Sequence, residues 1–139
     1  MSLLPENIRK KQFLVTDDYE SMRFMIGEHL KSLGVEKILW ACSGNEALAT
    51  ITKNIGTPQE IQFLLTDLIM DNGTGIDLVK GVRANPALKS LPILMITSKA
   101  EVSLVIEAVS AGVNNYIIKP WQLDDLAKKI IDSHSKIKA

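Results

Sequence analysis

Six side chains of this 139-residue sequence are of types, and in places, that could do chemistry together: Asp17, Asp18, Asp67, Thr97, Ser98 and Lys119. Asp17 and Asp18 follow the apolar run Phe13-Leu14-Val15-Thr16, and Asp67 follows Ile61 to Thr66. Thr97 and Ser98 close Ile93-Leu94-Met95-Ile96, and Lys119, just before Pro120, closes Tyr116-Ile117-Ile118. Brought to one place, three carboxylates repel one another and require a cation between them. Ligands that are all oxygen, in a partly hydrated setting, suit Mg2+ better than zinc. No His/Cys cluster competes, because His29 and His134 fall on separate helical stretches and Cys42 stands alone. Taken singly, each residue has a plainer reading. Asp17 or Asp18 caps the helix that begins near Glu20, Asp67 is a turn residue, Thr97 a β-branched strand residue and Lys119 a solvated charge before a turn proline. One cap needs only one carboxylate, however, and the plain readings do not explain why all of these groups fall at the ends of apolar runs.

Such a set converges only if the runs that carry it lie side by side. Phe13 to Thr16, Ile38 to Ala41, Ile61 to Thr66, Ile93 to Ile96 and Tyr116 to Ile118 predict five short strands. Helical patterns separate them. Met22, Met25, Ile26, Leu30 and Leu33 recur at helical spacing up to Gly34, a natural stop. Ser43 with Glu46 forms a capping-box signature before Ala47, Leu48 and Ile51, and that helix yields to Gly56-Thr57-Pro58. Thr74 with Asp77 forms a second one, before a helix that ends near Asn85-Pro86. A further helix runs from about Ala100 to Gly112, and the last presents Leu123, Leu126, Ala127 and Ile130 on one face. Strict alternation of strands and helices implies an α/β fold, with a parallel sheet covered on both faces. The near-continuous Ile/Leu/Met/Val content of the strands is what burial on both faces demands. In open sheets of this kind ligands bind beyond the carboxyl ends of the strands, where the six residues stand.

Composition agrees. With 46% hydrophobic, 23% charged and 5% aromatic residues, the chain is one domain able to bury a core, not a disordered segment or a disulfide mini-protein. Lys+Arg and Asp+Glu both number 16, so no charge excess favours nucleic acid or an anionic membrane. A single cysteine excludes an intramolecular disulfide and fits a reducing compartment. The start, Met1 to Glu6, carries no basic stretch followed by an apolar one, and no run is long enough to span a bilayer. The expectation is a soluble, cytoplasmic, single domain over residues 1–139, with its core at about 11–135, and no repeat or linker.

The constellation Phe13-Leu14-Val15-Thr16-Asp17-Asp18, Leu65-Thr66-Asp67-Leu68-Ile69-Met70, Met95-Ile96-Thr97-Ser98 and Tyr116-Ile117-Ile118-Lys119-Pro120 resembles the response-regulator receiver domain, most of all the stand-alone, chemotaxis-type (CheY-like) receivers. The likeness spans roughly Lys11 to Ser135, with all five signature positions in order. It implies a flavodoxin-like, doubly wound five-stranded parallel sheet of strand order 2-1-3-4-5. It also implies that Asp67 is a phosphoacceptor, taking a phosphoryl group from a phosphohistidine of a histidine kinase or histidine phosphotransfer domain. By the same resemblance Asp18 and Asp67 hold Mg2+, Asp17 assists and the Ile69 carbonyl completes the protein ligands. Lys119 then supplies a point charge and Thr97 a hydroxyl to phosphoryl oxygens. Thr97 and Tyr116 form the switch, Lys119-Pro120 falls at the family's cis peptide, and the output is a downstream protein or linked output domain. A phosphorylation-dependent homodimer belongs to the same set of expectations. Such a domain takes part in its own phosphorylation and dephosphorylation without being a conventional enzyme.

Where the family commonly has Met-Pro after the phosphoacceptor, this sequence has Met70-Asp71, and Thr74-Gly75 replaces the usual Asp-Gly. Apolar Ile69 is expected to shield an aspartyl phosphate from water. On the helix from Ala100, the spacing predicts Val102, Val105, Ile106 and Val109 facing inward, with Leu104, Ala108 and Ala111 opposite. Since the resemblance makes this helix part of the output surface, Leu104 is a candidate partner contact. Phe24, off the Met22/Met25/Ile26 stripe, is a candidate docking residue for the phosphodonor, and Trp121 a residue that senses the switch. Trp40 is expected in sheet packing, Cys42 as a small buried residue and His29 on a helix face. Two alternatives differ in class. An aspartyl-nucleophile hydrolase of the haloacid-dehalogenase type expects a second Asp at position 69, where this chain has Ile. A receiver-like interaction module that works without phosphorylation has no need of the full acid, hydroxyl and lysine set.

Overall fold

A computed structural model describes residues 4–70 and 73–136. Its central sheet is built from β1 (Gln12–Thr16), β2 (Lys37–Ala41), β3 (Phe63–Asp67), β6 (Ile93–Thr97) and β7 (Asn115–Ile118), all parallel, in the order β2-β1-β3-β6-β7. Taken as the five core strands, this is the 2-1-3-4-5 order expected of a doubly wound sheet. The remaining pair, β4 (Ile69–Met70) and β5 (Gly73–Thr74), is a two-stranded antiparallel ribbon that no sequence pattern announced. The helices are α1 (Glu6–Arg9), α2 (Glu20–Ser32), α3 (Gly44–Lys53), α4 (Gly75–Arg83), α5 (Val105–Ala111) and α6 (Leu123–Ser135).

The central strands are buried at every position, and their side chains alternate between two faces, which creates two cores. Leu14, Leu64, Ile93 and Met95 face α3, α4 and α5, where they meet Ile51, Val79, Val82 and Ala108. Their neighbours Phe13, Val15, Phe63, Leu65, Leu94 and Ile96 face the other way, onto Ile8 of α1, Ile26 and Leu30 of α2, and Leu126 and Ile130 of α6. The edge strand β2 is covered less completely. Trp40 there is 42% exposed and lies over Gly27 of α2, where a β-carbon would collide with its ring. Cys42, expected to be buried, is exposed, because it lies just past the end of this edge strand.

Local signals act as the sequence suggests. After α2, Gly34 takes φ 96° while its N–H reaches Lys31 O and the Val35 N–H reaches Leu30 O, both at 3.0 Å, a Schellman stop. Thr74 and Asp77 form a complete capping box. Ser43 caps the Glu46 N–H at 3.1 Å, but the Glu46 carboxylate reaches the Cys42 N–H at 2.8 Å, one residue further back than the box requires. Arg83, at the end of α4, donates to Gly112 O at 3.0 and 3.1 Å, to Leu88 O at 2.9 Å and to Asn114 Oδ1 at 3.1 Å, which ties the end of α5 to α4.

The expectation for the helix from Ala100 is also corrected. Residues 99–104 form a 3-10 turn, so the α-helix begins only at Val105. A 3-10 segment advances about 20° more per residue than an α-helix, which rotates everything after six residues by about 120°. Val105 and Ala108 therefore point inward, while Ile106 is 79% and Val109 53% exposed. Leu104, expected on the open face, packs against the core instead.

Candidate functional site

The carboxyl ends of the strands bring the acids together. β1 ends at Thr16, and Asp17 follows with its N–H on Ala41 O at 3.2 Å, which carries strand pairing one residue further. Its carboxylate reaches forward to accept the Tyr19 N–H at 2.9 Å, just before α2, while Arg23 Nη1 holds the Asp17 carbonyl at 2.6 Å. Asp67 is the last residue of β3 and is 4% exposed. Its Oδ1 accepts the Leu68 N–H at 2.8 Å and lies 3.5 Å from Lys119 Nζ, and neither contact involves Oδ2. Lys119 is placed by its own N–H on Thr97 O at 2.8 Å, and the Lys119–Pro120 peptide is cis.

Asp17, Asp18 and Asp67 each offer an oxygen within 4.8 Å of the others. Burial, ahead of the neighbouring Asp17 charge, pushes Asp67 up to about 6 against the pull of Lys119 and the Leu68 N–H. Burial likewise raises Asp17. Asp17 Oδ2 is itself buried without a hydrogen-bond partner among the described residues. A buried carboxylate oxygen left open beside two more carboxylates fits a hard, oxygen-seeking divalent cation. Asp18, Asp67 and Lys119 open on a cleft of roughly 260 Å3, which Ile69, 40% exposed, also lines.

Two residues escaped the sequence reading. Gly75 opens α4 against the backbone of Asp67; a β-carbon there would collide with the Asp67 carbonyl oxygen, and the Gly75 N–H donates to Leu68 O at 2.7 Å. Its place in Thr74-Gly75 was visible, but a close approach is a tertiary fact. Glu101 lines the cleft and accepts the Ser98 N–H at 3.2 Å. Here the signal was present in the sequence, because Ser98-Lys99-Ala100-Glu101 has capping-box spacing.

Other expected site residues stand apart from the acids. Thr97 is fully buried at the end of β6, and its hydroxyl donates to Ser98 O at 3.3 Å rather than toward Asp67. Tyr116 is half-buried on β7, with Lys129 Nζ 5.2 Å from its ring centre. Trp121 packs against the α2/α6 core and donates its indole N–H to His29 Nδ1 of α2 at 3.1 Å. Phe24 is 68% exposed and shares a groove with Glu20, Arg23 and Trp40. Asp71 lies outside the described residues.

A five-stranded parallel sheet with an acid cluster and a lysine at its carboxyl edge defines a class of signalling domain, and the comparisons agree. A family model described as "Response regulator receiver domain" matches residues 13–131. The chemotaxis protein CheY of Pseudomonas aeruginosa is 40% identical over 119 residues, covering 86% of this chain and 92% of that protein. CheY1 of Helicobacter pylori strain J99 is 42% identical over 119 residues, covering 86% and 93%. Among solved structures, the chemotaxis response regulator CheY4 of Vibrio cholerae superposes with a TM-score of 0.77 at 28% identity, over 89% of this chain and 98% of that one. The chain belongs to the response regulator receiver domain family, and its relatives place it with the chemotaxis-type receivers. No helix among the described residues is long and apolar enough to cross a membrane.

Proposed function

We propose that Asp67 accepts a phosphoryl group from a phosphohistidine on a histidine kinase or histidine phosphotransfer domain. One observation carries this reading: a buried carboxylate at a strand end with Lys119 Nζ at 3.5 Å and two further carboxylates within 4.8 Å. In the transfer an Asp67 oxygen forms a bond to phosphorus as the P–N bond breaks, and the departing imidazole keeps the electron pair. Asp17, Asp18, Asp67 and the carbonyl of Ile69 would hold Mg2+, which neutralises phosphoryl charge when bound. Lys119 adds a fixed positive charge beside the acceptor oxygen, and burial of Asp67 keeps competing water away, so the chain contributes positioning and electrostatics.

The signal leaves through surface groups. A phosphoryl group on Asp67 turns the Thr97 hydroxyl away from Ser98 O, and Tyr116 follows into the space that Thr97 leaves. The face that responds is α5, β7 and α6. On α5 its apolar contacts are Ile106 and Val109 in place of Leu104. Phe24, exposed on α2 in a groove with Glu20, Arg23 and Trp40, docks the phosphodonor, and Ile69 at the mouth of the cleft slows attack of water on the phosphate. The whole chain acts as one cytoplasmic receiver that modifies itself and turns over no outside substrate.

Intact-mass measurement after incubation with acetyl phosphate tests the reading. A single phosphoryl adduct is expected with Mg2+, and none without it or in Asp67→Asn. Absence of both an adduct and beryllofluoride binding in the unaltered protein would overturn it and favour an interaction module that works without phosphorylation.

A further inference from the structure

Glu101 lines the same cleft as Asp67 and Lys119 yet is not one of the three clustered carboxylates. Its own N–H donates to Ser98 O at 3.1 Å, and its Oε1 accepts the Ser98 N–H at 3.2 Å. Thr97, next in line, donates its hydroxyl to the same Ser98 oxygen at 3.3 Å. The two donors that β6 presents at its carboxyl end, the Thr97 hydroxyl and the Ser98 N–H, are thus both engaged inside their own segment. Ser98 stands where an N-cap stands before the 3-10 turn over residues 99–104, and Glu101 supplies the return arm of a capping box.

We propose that Glu101 is a latch that holds the Thr97–Ser98 corner in its unphosphorylated arrangement, and that phosphorylation works partly by expelling it. The proposal rests on the reading of Asp67 as phosphoacceptor. An aspartyl phosphate carries about two negative charges where the free carboxylate carries one, and it adds acceptor oxygens that need donors. Lys119 and the turned Thr97 hydroxyl supply donors, and a further one on the same cleft is the Ser98 N–H, which Glu101 occupies. The same negative charge that seeks this N–H repels the Glu101 carboxylate, so one event removes the competitor and engages the donor. The 3-10 turn then loses its cap. It leads directly into α5, whose exposed Ile106 and Val109 form an apolar face and whose far end Arg83 pins at Gly112 O. Release at one end of a segment held at the other swings that face, which a free helix would not do.

Beryllofluoride titration with Mg2+ tests this on the full chain, using the unaltered protein, Glu101→Gln, Glu101→Ala and Asp67→Asn. Glu101→Ala, which loses both the charge and the hydrogen bond, is expected to bind about five- to tenfold more tightly, the factor that loss of an ordinary cap produces. Glu101→Gln keeps an acceptor for the Ser98 N–H without the charge and should fall between Ala and the unaltered protein. If Glu101→Ala binds no more tightly than the unaltered protein, the latch is refuted. A second reading needs no phosphate chemistry: amide exchange at Ser98 should be at least about tenfold faster in Glu101→Ala, and equal protection refutes the cap itself. If the unaltered protein and Asp67→Asn both ignore beryllofluoride, the phosphoacceptor reading fails first and the latch falls with it, whatever the Ser98 exchange shows.

Discussion

At the amino end of the sheet, Phe13 and Phe63 stack with centroids 4.8 Å apart and 13° between their planes, and side-chain amides close the strand starts. Gln62 Oε1 accepts the Gln12 N–H at 3.1 Å, and Asn114 Oδ1 accepts the Ile93 N–H at 2.7 Å. At the carboxyl end of the same strands, Asp17 and Asp67 are as deeply buried as the phenylalanines, yet burial raises both carboxylates, and Asp17 Oδ2 and Thr16 Oγ1 are left without partners among the described residues. Both ends pay the cost of desolvating polar groups, but only one recovers it within the fold. The difference separates what the sheet uses for stability from what it holds ready for a ligand, since buried polar groups left open mark places where function overrides packing.

The contrast can be broken in order of expected size. Phe63→Ala removes the stack at the amino end and should cost about 3–5 kcal/mol in urea unfolding, while phosphoryl uptake per folded molecule is unchanged. At the other end the sign reverses. The native state holds the Asp67 proton up to about 6, whereas the unfolded chain releases it near 3.8, so the native state binds more protons between those values. Stability from this group is therefore full below about pH 4 and is lost as pH rises toward 7. In EDTA, Asp67→Asn should gain on the unaltered protein across that range by on the order of 3 kcal/mol, and a constant difference would contradict the raised carboxyl. Gly75→Ala joins the two ends. The new β-carbon against the Asp67 carbonyl should cost about 1–3 kcal/mol and, unlike Phe63→Ala, also lower phosphoryl uptake per folded molecule. The smallest change is Thr74→Ala, which removes one arm of a capping box and should cost about 1 kcal/mol in thermal unfolding, with the adduct mass unaffected.

Strands and candidate site were legible for one physical reason: a parallel strand covered on both faces must be apolar throughout, so its first polar residue marks its end. Phe13 to Asp17 and Ile93 to Thr97 show this directly, and the end residues make up the candidate site. What was not legible depends on phase or on distant neighbours. The outward turn of Ile106 followed from a 3-10 segment that shifts the periodicity before α5 starts. In Val105-Ile106-Glu107-Ala108-Val109 apolar residues occupy more than one face, so spacing alone could not detect that shift. Cys42 was misjudged, and the partial exposure of Trp40 unforeseen, because nothing local distinguishes an edge strand from a central one. The ribbon of β4 and β5 pairs only two residues on each side, too few to leave a pattern.

The hydrogen bond from Trp121 to His29 joins residues 92 apart and gives the two indoles of the chain different optical lives. Trp40 is 42% exposed at the sheet edge, open to a dissolved quencher such as iodide. Trp121 is half-buried against the α2/α6 core and sits two residues beyond Lys119, on the loop that the proposed switch would pull. Emission that survives iodide is therefore expected mainly from Trp121, which makes its colour and lifetime a label-free test of whether the proposed switch moves this loop.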